Sequence, residues 1–193
     1  MLKRMKIILA SKSPRRKELM NLLNLEYDII VSDADETLKE GLSIVEQSKR
    51  LAKLKAKAVY DETTGDRIII GSDTIVVKDD EIYGKPKDHT DAVKMLTNLQ
   101  NAKHQVITSL CILIERNEEY FEYLDYEITD VYIQEMSSDE IDEWINRASP
   151  YDKAGAYAIQ EEFAKYIYKI DGDYSSIVGL PLNKVYNYIK KFI

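Results

Sequence analysis

The chain opens on a short apolar run, Ile7-Ile8-Leu9-Ala10, whose lack of alternation predicts a strand buried on both faces. A helical pattern follows, with Ser13 as N-cap, Pro14 in the first turn and Leu19, Leu22 and Leu23 as its apolar side. Tyr27 to Val31 predicts a second strand that runs into the acidic turn Ser32-Asp33-Ala34-Asp35-Glu36. Ser43 to Tyr60 then reads as a long helix. Val45, Leu51, Leu54 and Ala58 are among its apolar positions, and Lys49, Lys53, Lys55 and Lys57 lie for the most part on a solvated face.

Gly65-Asp66 makes a turn before the β-branched strand Ile68-Ile69-Ile70, and β-structure resumes at Ile75-Val76-Val77 after Gly71-Ser72-Asp73-Thr74. Lys78 to Glu81 reads as a hairpin turn returning to Ile82-Tyr83. Thr90 to Leu99 predicts an amphipathic helix capped by Thr90. Gln105 to Arg116 and Tyr120 to Val131 form two long strands of a meander with one face toward solvent. Ser137-Ser138-Asp139-Glu140 starts a helix that Ser149-Pro150 breaks. Tyr151 to Tyr157 is a small-residue loop, Phe163 to Ile170 fits either a helix or a strand, and Leu180-Pro181 starts a last helix to about Lys191. Helices and strands alternate early and strands cluster later. That order predicts an α/β fold with a mixed, partly antiparallel sheet, as one domain over residues 1–193.

Composition narrows the partners. The 27 basic and 34 acidic residues leave a net charge of -7, which argues against a nucleic-acid binder that relies on a general basic surface. The single cysteine, Cys111, lies in the apolar run Leu110 to Ile114 and reads as a buried strand thiol, so a reducing cytoplasm fits. Lys3, Arg4 and Lys6 precede an apolar run too short for a signal peptide, and no stretch approaches a membrane span, so no membrane partner is expected.

The candidate chemistry starts where the first strand feeds the first helix. Ser11, Ser13, Arg15 and Arg16 bring hydroxyls and planar guanidinium groups to a helix N-terminus, a combination suited to an oligophosphate. A basic helix start exposed to water is the other reading. Asp73 follows an isoleucine strand and a glycine, which puts it at the carboxyl edge of a sheet, while an Asx-turn residue is the plainer alternative. Lys85 stands between Gly84 and Pro86, aimed at a ligand or exposed on a hairpin. Glu36 and Asp73 offer hard oxygen ligands for Mg²⁺ beside donors for phosphate, a set suited to cleaving a phosphoanhydride. Gly84-Lys85-Pro86 is not a P-loop, since it lacks the upstream glycine and the following helix. His89 and His104 read as ordinary surface or turn residues, and no Ser-His-Asp or Cys-His set is present.

Leu9-Ala10-Ser11-Lys12-Ser13-Pro14-Arg15-Arg16, Asp35-Glu36, Leu51 to Ala56, Gly71-Ser72-Asp73-Thr74, Gly84-Lys85-Pro86, Asp152 to Gln160, Gly172-Asp173-Tyr174 and Val178-Gly179-Leu180-Pro181 follow one another in order. In that series the chain resembles the Maf family of nucleoside triphosphate pyrophosphatases, specifically its dTTP/UTP-hydrolysing branch. The resemblance implies an elongated α/β fold of two lobes with a central cleft, in a protein that is often dimeric. It implies hydrolysis between the α- and β-phosphates with a divalent metal, Mg²⁺ or Mn²⁺, as a house-cleaning activity extending to modified pyrimidine nucleotides. By position, Asp73 would be the proton acceptor, and Arg15, Thr74 and Gln160 would set base choice. Ser11, Arg16, Lys55 and Lys85 would bind phosphate, and Glu36 with Asp73 the metal. Family members are also associated with septum inhibition, so a non-catalytic nucleotide-binding regulator of cell division is the alternative.

The carboxamide of Gln160 suits this branch, because it offers a donor and an acceptor to the O4 and N3–H of uracil or thymine. As an aspartate of ordinary acidity, near pKa 3.9, is a poor base at pH 7, Asp73 is expected either to be shifted by burial or to serve mainly as a metal ligand. Departures from the family pattern are Gln100-Asn101 for Ser-Gly, Ser109 for Gly, Ser176 for Asn, and Glu161-Glu162 after Gln160 where glycine is usual. The last pair is expected to place unwelcome negative charge beside the base site.

Overall fold

The computed structural model describes residues 5–31 and 34–193, so Lys3 and Arg4 of the basic start and Ser32 and Asp33 of the acidic turn lie outside the described residues. The elements run β1 (Lys6–Leu9), α1 (Pro14–Asn21), β2 (Asp28–Ile29), α2 (Ile44–Glu62), β3 (Arg67–Lys78) and β4 (Glu81–Tyr83). They continue through α3 (His89–Leu99), β5 (Ala102–Arg116), β6 (Glu119–Ile133), α4 (Ser138–Ala148), β7 (Ile167–Asp171), α5 (Tyr174–Val178) and α6 (Leu182–Ile189). Two 3₁₀ turns, Ala154–Ala156 and Glu162–Tyr166, separate α4 from β7.

Among the described residues the strands pair in the order β2-β1-β3-β5-β6-β7, with β4 on β3. β1 is parallel to both β2 and β3, whereas the β3–β4 and β6–β7 pairs are antiparallel. The expected mixed α/β sheet is therefore present. Its chain falls into two units. The first is Met1–Asp73, Thr108–Glu127 and Gly179–Ile193, and the second is Thr74–Ile107 and Ile128–Val178.

In the first unit, Ile8, Ala10, Ala52, Ala56, Val59, Ile69, Cys111 and Leu113 form one core. The approach of α2 to β3 explains Gly71: a Cβ there would lie 2.5 Å from the Ala52 carbonyl oxygen and 2.8 Å from Ala56 Cβ. Small residues on both elements let the helix axis come down onto the strand. Helix α2 itself starts with a capping box, Ser43 accepting from Glu46 N while the Glu46 carboxylate accepts from Ser43 N. Cys111 is buried as expected, and burial pushes its thiol up to about 12.

The second unit closes around Val76, Leu96, Leu99, Val106, Val131, Trp144, Phe163 and Tyr166. Trp144 donates its Nε1–H to the Ala156 carbonyl at 2.9 Å, which pins the turn after α4 to the core. Several local expectations are corrected. Asp88, not Thr90, caps α3, accepting from Asp91 N at 2.9 Å. The second strand shrinks to two exposed residues, and α1 ends before Leu22, which is exposed. β5 is buried along almost its whole length, so only β6 shows the expected alternation toward solvent. His104 is not a surface residue: it is buried, 2.7 Å from the Tyr157 hydroxyl. Burial holds its imidazole at about 4, well below the ordinary value.

Candidate functional site

In the first unit the site begins where β1 stops. Ala10 N still reaches the Ile70 carbonyl at 2.9 Å, and the chain then leaves the sheet toward α1. Ser13 stands at the N-cap of α1, but its side chain makes no capping bond. The hydroxyl that works there is that of buried Ser11, which accepts from Ser13 N at 3.2 Å and from Arg16 Nη1 at 3.3 Å. Arg16 is held at a second point, its Nε donating to the Gly179 carbonyl at 2.7 Å. The same carbonyl accepts from the buried Ser72 hydroxyl at 3.0 Å. Arg16 is half-buried, and burial pulls its guanidinium below the ordinary value. The charges of Asp73 and Glu36 oppose that shift, and Arg15 adds to it. Asp73, Glu36 and Arg15 thus all lie near enough to act on the Arg16 guanidinium.

Asp73 departs from expectation in its backbone. β3 runs unbroken from Arg67 to Lys78, so Asp73 sits inside a strand and not in an Asx turn. It lies three residues beyond Ile70, the last residue of β3 paired with β1, which keeps it past the carboxyl end of the β1–β3 parallel pair. Lys55, carried by α2 over the strand, places its Nζ 2.8 Å from Asp73 Oδ1 and 3.0 Å from Glu36 Oε2. Its side chain is 11% exposed, so this lysine is not part of the solvated face assigned to its neighbours on the helix. Ser48, seven residues before Lys55 on the same face, donates to the Asp73 carbonyl at 3.4 Å. Asp73 Oδ2 is buried and has no hydrogen-bond partner among the described residues. Such an atom is costly unless something arrives to use it.

In the second unit, Thr74 is half-buried on β3, directly after Asp73. Lys85 is exposed beyond β4, and Gly84 beside it accepts from Gly155 N at 3.0 Å. Gly155 has φ +70°, and a Cβ there would meet Leu99 and Val76 side chains at 3.2 Å, so the turn needs glycine on two counts. Lys153 is buried with its Nζ 2.9 Å from Asp152 Oδ1 and 3.4 Å from Glu161 Oε1. Gln160 is exposed in the turn that follows. Glu162 pairs with Arg147 at 2.8 Å. The two glutamates that looked unwelcome each lie against a cation, Glu161 sharing Lys153 with Asp152 and Glu162 sharing Arg147 with Glu143.

The structure therefore gathers Ser11, Arg15, Arg16, Glu36, Lys55 and Asp73 into one cluster in the first unit, while Thr74, Lys85 and Gln160 belong to the second. Sequence reasoning missed Ser48 and the Gly179 carbonyl. Helical spacing from Lys55 could have flagged Ser48, but nothing in sequence singles out a carbonyl. Among the described residues no group of three or more His, Cys, Asp or Glu side chains could hold a metal, and no helix is long and apolar enough to cross a membrane.

Residues 6–192 match the family model described as Maf-like protein. A dTTP/UTP pyrophosphatase of Alkaliphilus oremlandii is 43% identical over 179 residues, 93% of this chain and 92% of that protein. A dTTP/UTP pyrophosphatase of Bacillus velezensis is 44% identical over 187 residues, 97% of this chain and 96% of the relative. Among solved structures, the nucleoside-triphosphatase / dITP/XTP pyrophosphatase of Mycobacterium abscessus superposes with a TM-score of 0.40 at 15% identity. That superposition covers 67% of this chain and 73% of the other.

Proposed function

This chain belongs to the family of Maf-like proteins, and on that premise we propose that it hydrolyses dTTP and UTP to the nucleoside monophosphate and pyrophosphate, working as one domain of two units in the cytoplasm. The observation that carries the reading is the pair of carboxylates leaning on one ammonium, Glu36 and Asp73 on Lys55, with Asp73 Oδ2 beside them buried and without a hydrogen-bond partner among the described residues.

Those two carboxylates fit a hard divalent cation such as Mg²⁺ or Mn²⁺, which commonly takes one or two protein carboxylates and completes its shell with water and substrate phosphate. When bound, the cation would supply Lewis-acid stabilisation of phosphate charge. The chain's own residues do the rest. Arg15, Arg16, Lys55 and Lys85 offset the charge of the triphosphate, and Ser11 and the Gly179 carbonyl aim Arg16 by taking two of its donors. Asp73 accepts the proton of the attacking water. The oxygen bonds to phosphorus, the bond from phosphorus to the bridging oxygen breaks, and pyrophosphate leaves with the electron pair. Arg15, Thr74 and Gln160 read the base, the carboxamide offering one donor and one acceptor to a pyrimidine edge.

Pyrophosphate release from a panel of nucleoside triphosphates, with Mg²⁺ or Mn²⁺, tests this reading. Release from dTTP and UTP well above that from the purine nucleotides is expected. Nucleotide binding without turnover would instead leave a regulator that has lost catalysis.

A further inference from the structure

Glu36 is exposed, on the stretch between β2 and α2, and two side chains of α2 anchor the residues that follow it. Gln47 is buried, and its carboxamide engages both polar groups of one backbone residue: Oε1 accepts from Lys39 N at 3.2 Å, and Nε2 donates to the Lys39 carbonyl. Three residues along α2, Arg50 Nη2 donates to the Thr37 carbonyl. Asp35 closes the stretch from its other side, its carboxylate accepting from Thr37 N at 2.9 Å and from Thr37 Oγ1 at 2.5 Å. Glu36 thus lies between residues tied to each other and to the helix.

Neither Gln47 nor Arg50 is needed to start α2, because Ser43 and Glu46 already cap it. Gln47, Leu51 and Lys55 recur every four residues on one face. The helix that offers Lys55 to both carboxylates therefore also grips the segment that delivers Glu36. A carboxamide bound to an N–H and a C=O of the same residue imitates a rung of a β-ladder, a rigid connection for an otherwise open loop.

We propose that Gln47 and Arg50 are positioning residues for Glu36, setting the affinity of the site for its divalent cation without touching substrate. The proposal rests on the reading that Glu36 and Asp73 hold that cation. It is tested on the full chain with Gln47→Leu, Arg50→Met and, in parallel, Glu36→Gln. Mn²⁺ affinity is followed by electron paramagnetic resonance, amide exchange is measured over residues 35–39, and the Mn²⁺ dependence of turnover is recorded. Gln47→Leu is expected to weaken Mn²⁺ binding about tenfold, the low end for a residue that orients a metal ligand. It should also speed exchange of the Lys39 amide, while turnover at saturating Mn²⁺ stays within about threefold of wild type. Gln47→Glu keeps an acceptor for Lys39 N and loses the donor, so its Mn²⁺ affinity should fall between the two; it serves as the reporter where the leucine variant folds poorly. Unchanged Mn²⁺ affinity in Glu36→Gln would overturn the cation reading itself. A weakened Glu36→Gln beside wild-type affinity and exchange in Gln47→Leu and Arg50→Met would overturn the positioning role alone.

Discussion

Arg67 and Lys55 each carry a positive charge into the first unit, but their surroundings are completed differently. Arg67, 3% exposed, donates to Thr63 Oγ1 at 2.9 Å, to the Gly65 carbonyl at 2.6 Å, to the Tyr60 carbonyl at 3.1 Å and to Glu115 Oε2 at 2.6 Å. Its guanidinium also lies 4.3 Å from the centre of the Tyr60 ring, and the Tyr60 hydroxyl donates to the same Glu115 oxygen at 2.8 Å. That hydroxyl holds the Glu115 carboxyl below its ordinary value, with Arg67 adding to the effect against desolvation. Around Lys55, by contrast, Asp73 keeps a buried oxygen with no hydrogen-bond partner among the described residues, and Glu36 stands open to solvent. A buried charge whose partners are all supplied by the chain holds the fold, whereas an idle buried acceptor carries a desolvation cost that a bound ligand would relieve.

The sharpest way to break this contrast is Asp73→Asn. Loss of the proposed base is expected to lower pyrophosphate release by about 10²–10⁴, and an active Asn variant would remove Asp73 from the chemistry. Arg67→Ala should do the reverse, costing about 3–4 kcal/mol in a denaturant melt while the folded protein keeps its turnover. His104 asks whether an idle buried atom is enough by itself to mark a site, since its Nδ1 also has no partner among the described residues, yet it sits in the core of the second unit. The unfolded chain takes up a proton near the ordinary histidine value, and the folded chain only near 4, so the unfolded state binds more protons between those limits. Stability should therefore fall as pH drops through that window, by roughly 2–3 kcal/mol, and His104→Gln should flatten that part of the profile with turnover at neutral pH unchanged. A large loss of turnover would erase the distinction drawn here. The smallest expected effect is in base choice: Gln160→Glu should cut UTP hydrolysis relative to GTP by about 10- to 100-fold, the worth of one two-point base contact. Equal ratios before and after would show that the position is not read.

Much of this arrangement was legible in the residues. Ser43 and Glu46, or Ser137 and Glu140, announce helix starts because the capping bond spans only three residues. The isoleucine run at residues 68–70 announces a buried strand because no other element tolerates it so well. The sequence suggests a break in the strand between Ile70 and Ile75 because Gly71 and Ser72 look like a turn in local terms, whereas β3 runs through Asp73 without interruption. The break is absent since Gly71 answers to α2 packing on its strand, a contact with residues 52 and 56. His104 was misread for the same kind of reason: a lone histidine gives no local sign that Tyr157, 53 residues on, will bury it.

By itself the sequence determined the alternation of helices and strands and the α/β class, since periodicity and capping are written within a few residues of one another. Only the tertiary structure decided that Lys55 leaves the solvated face of its helix to join Asp73 and Glu36, and that Lys153 and Arg147 answer the two extra glutamates. Each of these depends on how closely one element packs on another, and closeness between distant residues is set by the whole core and not by any neighbour in the chain.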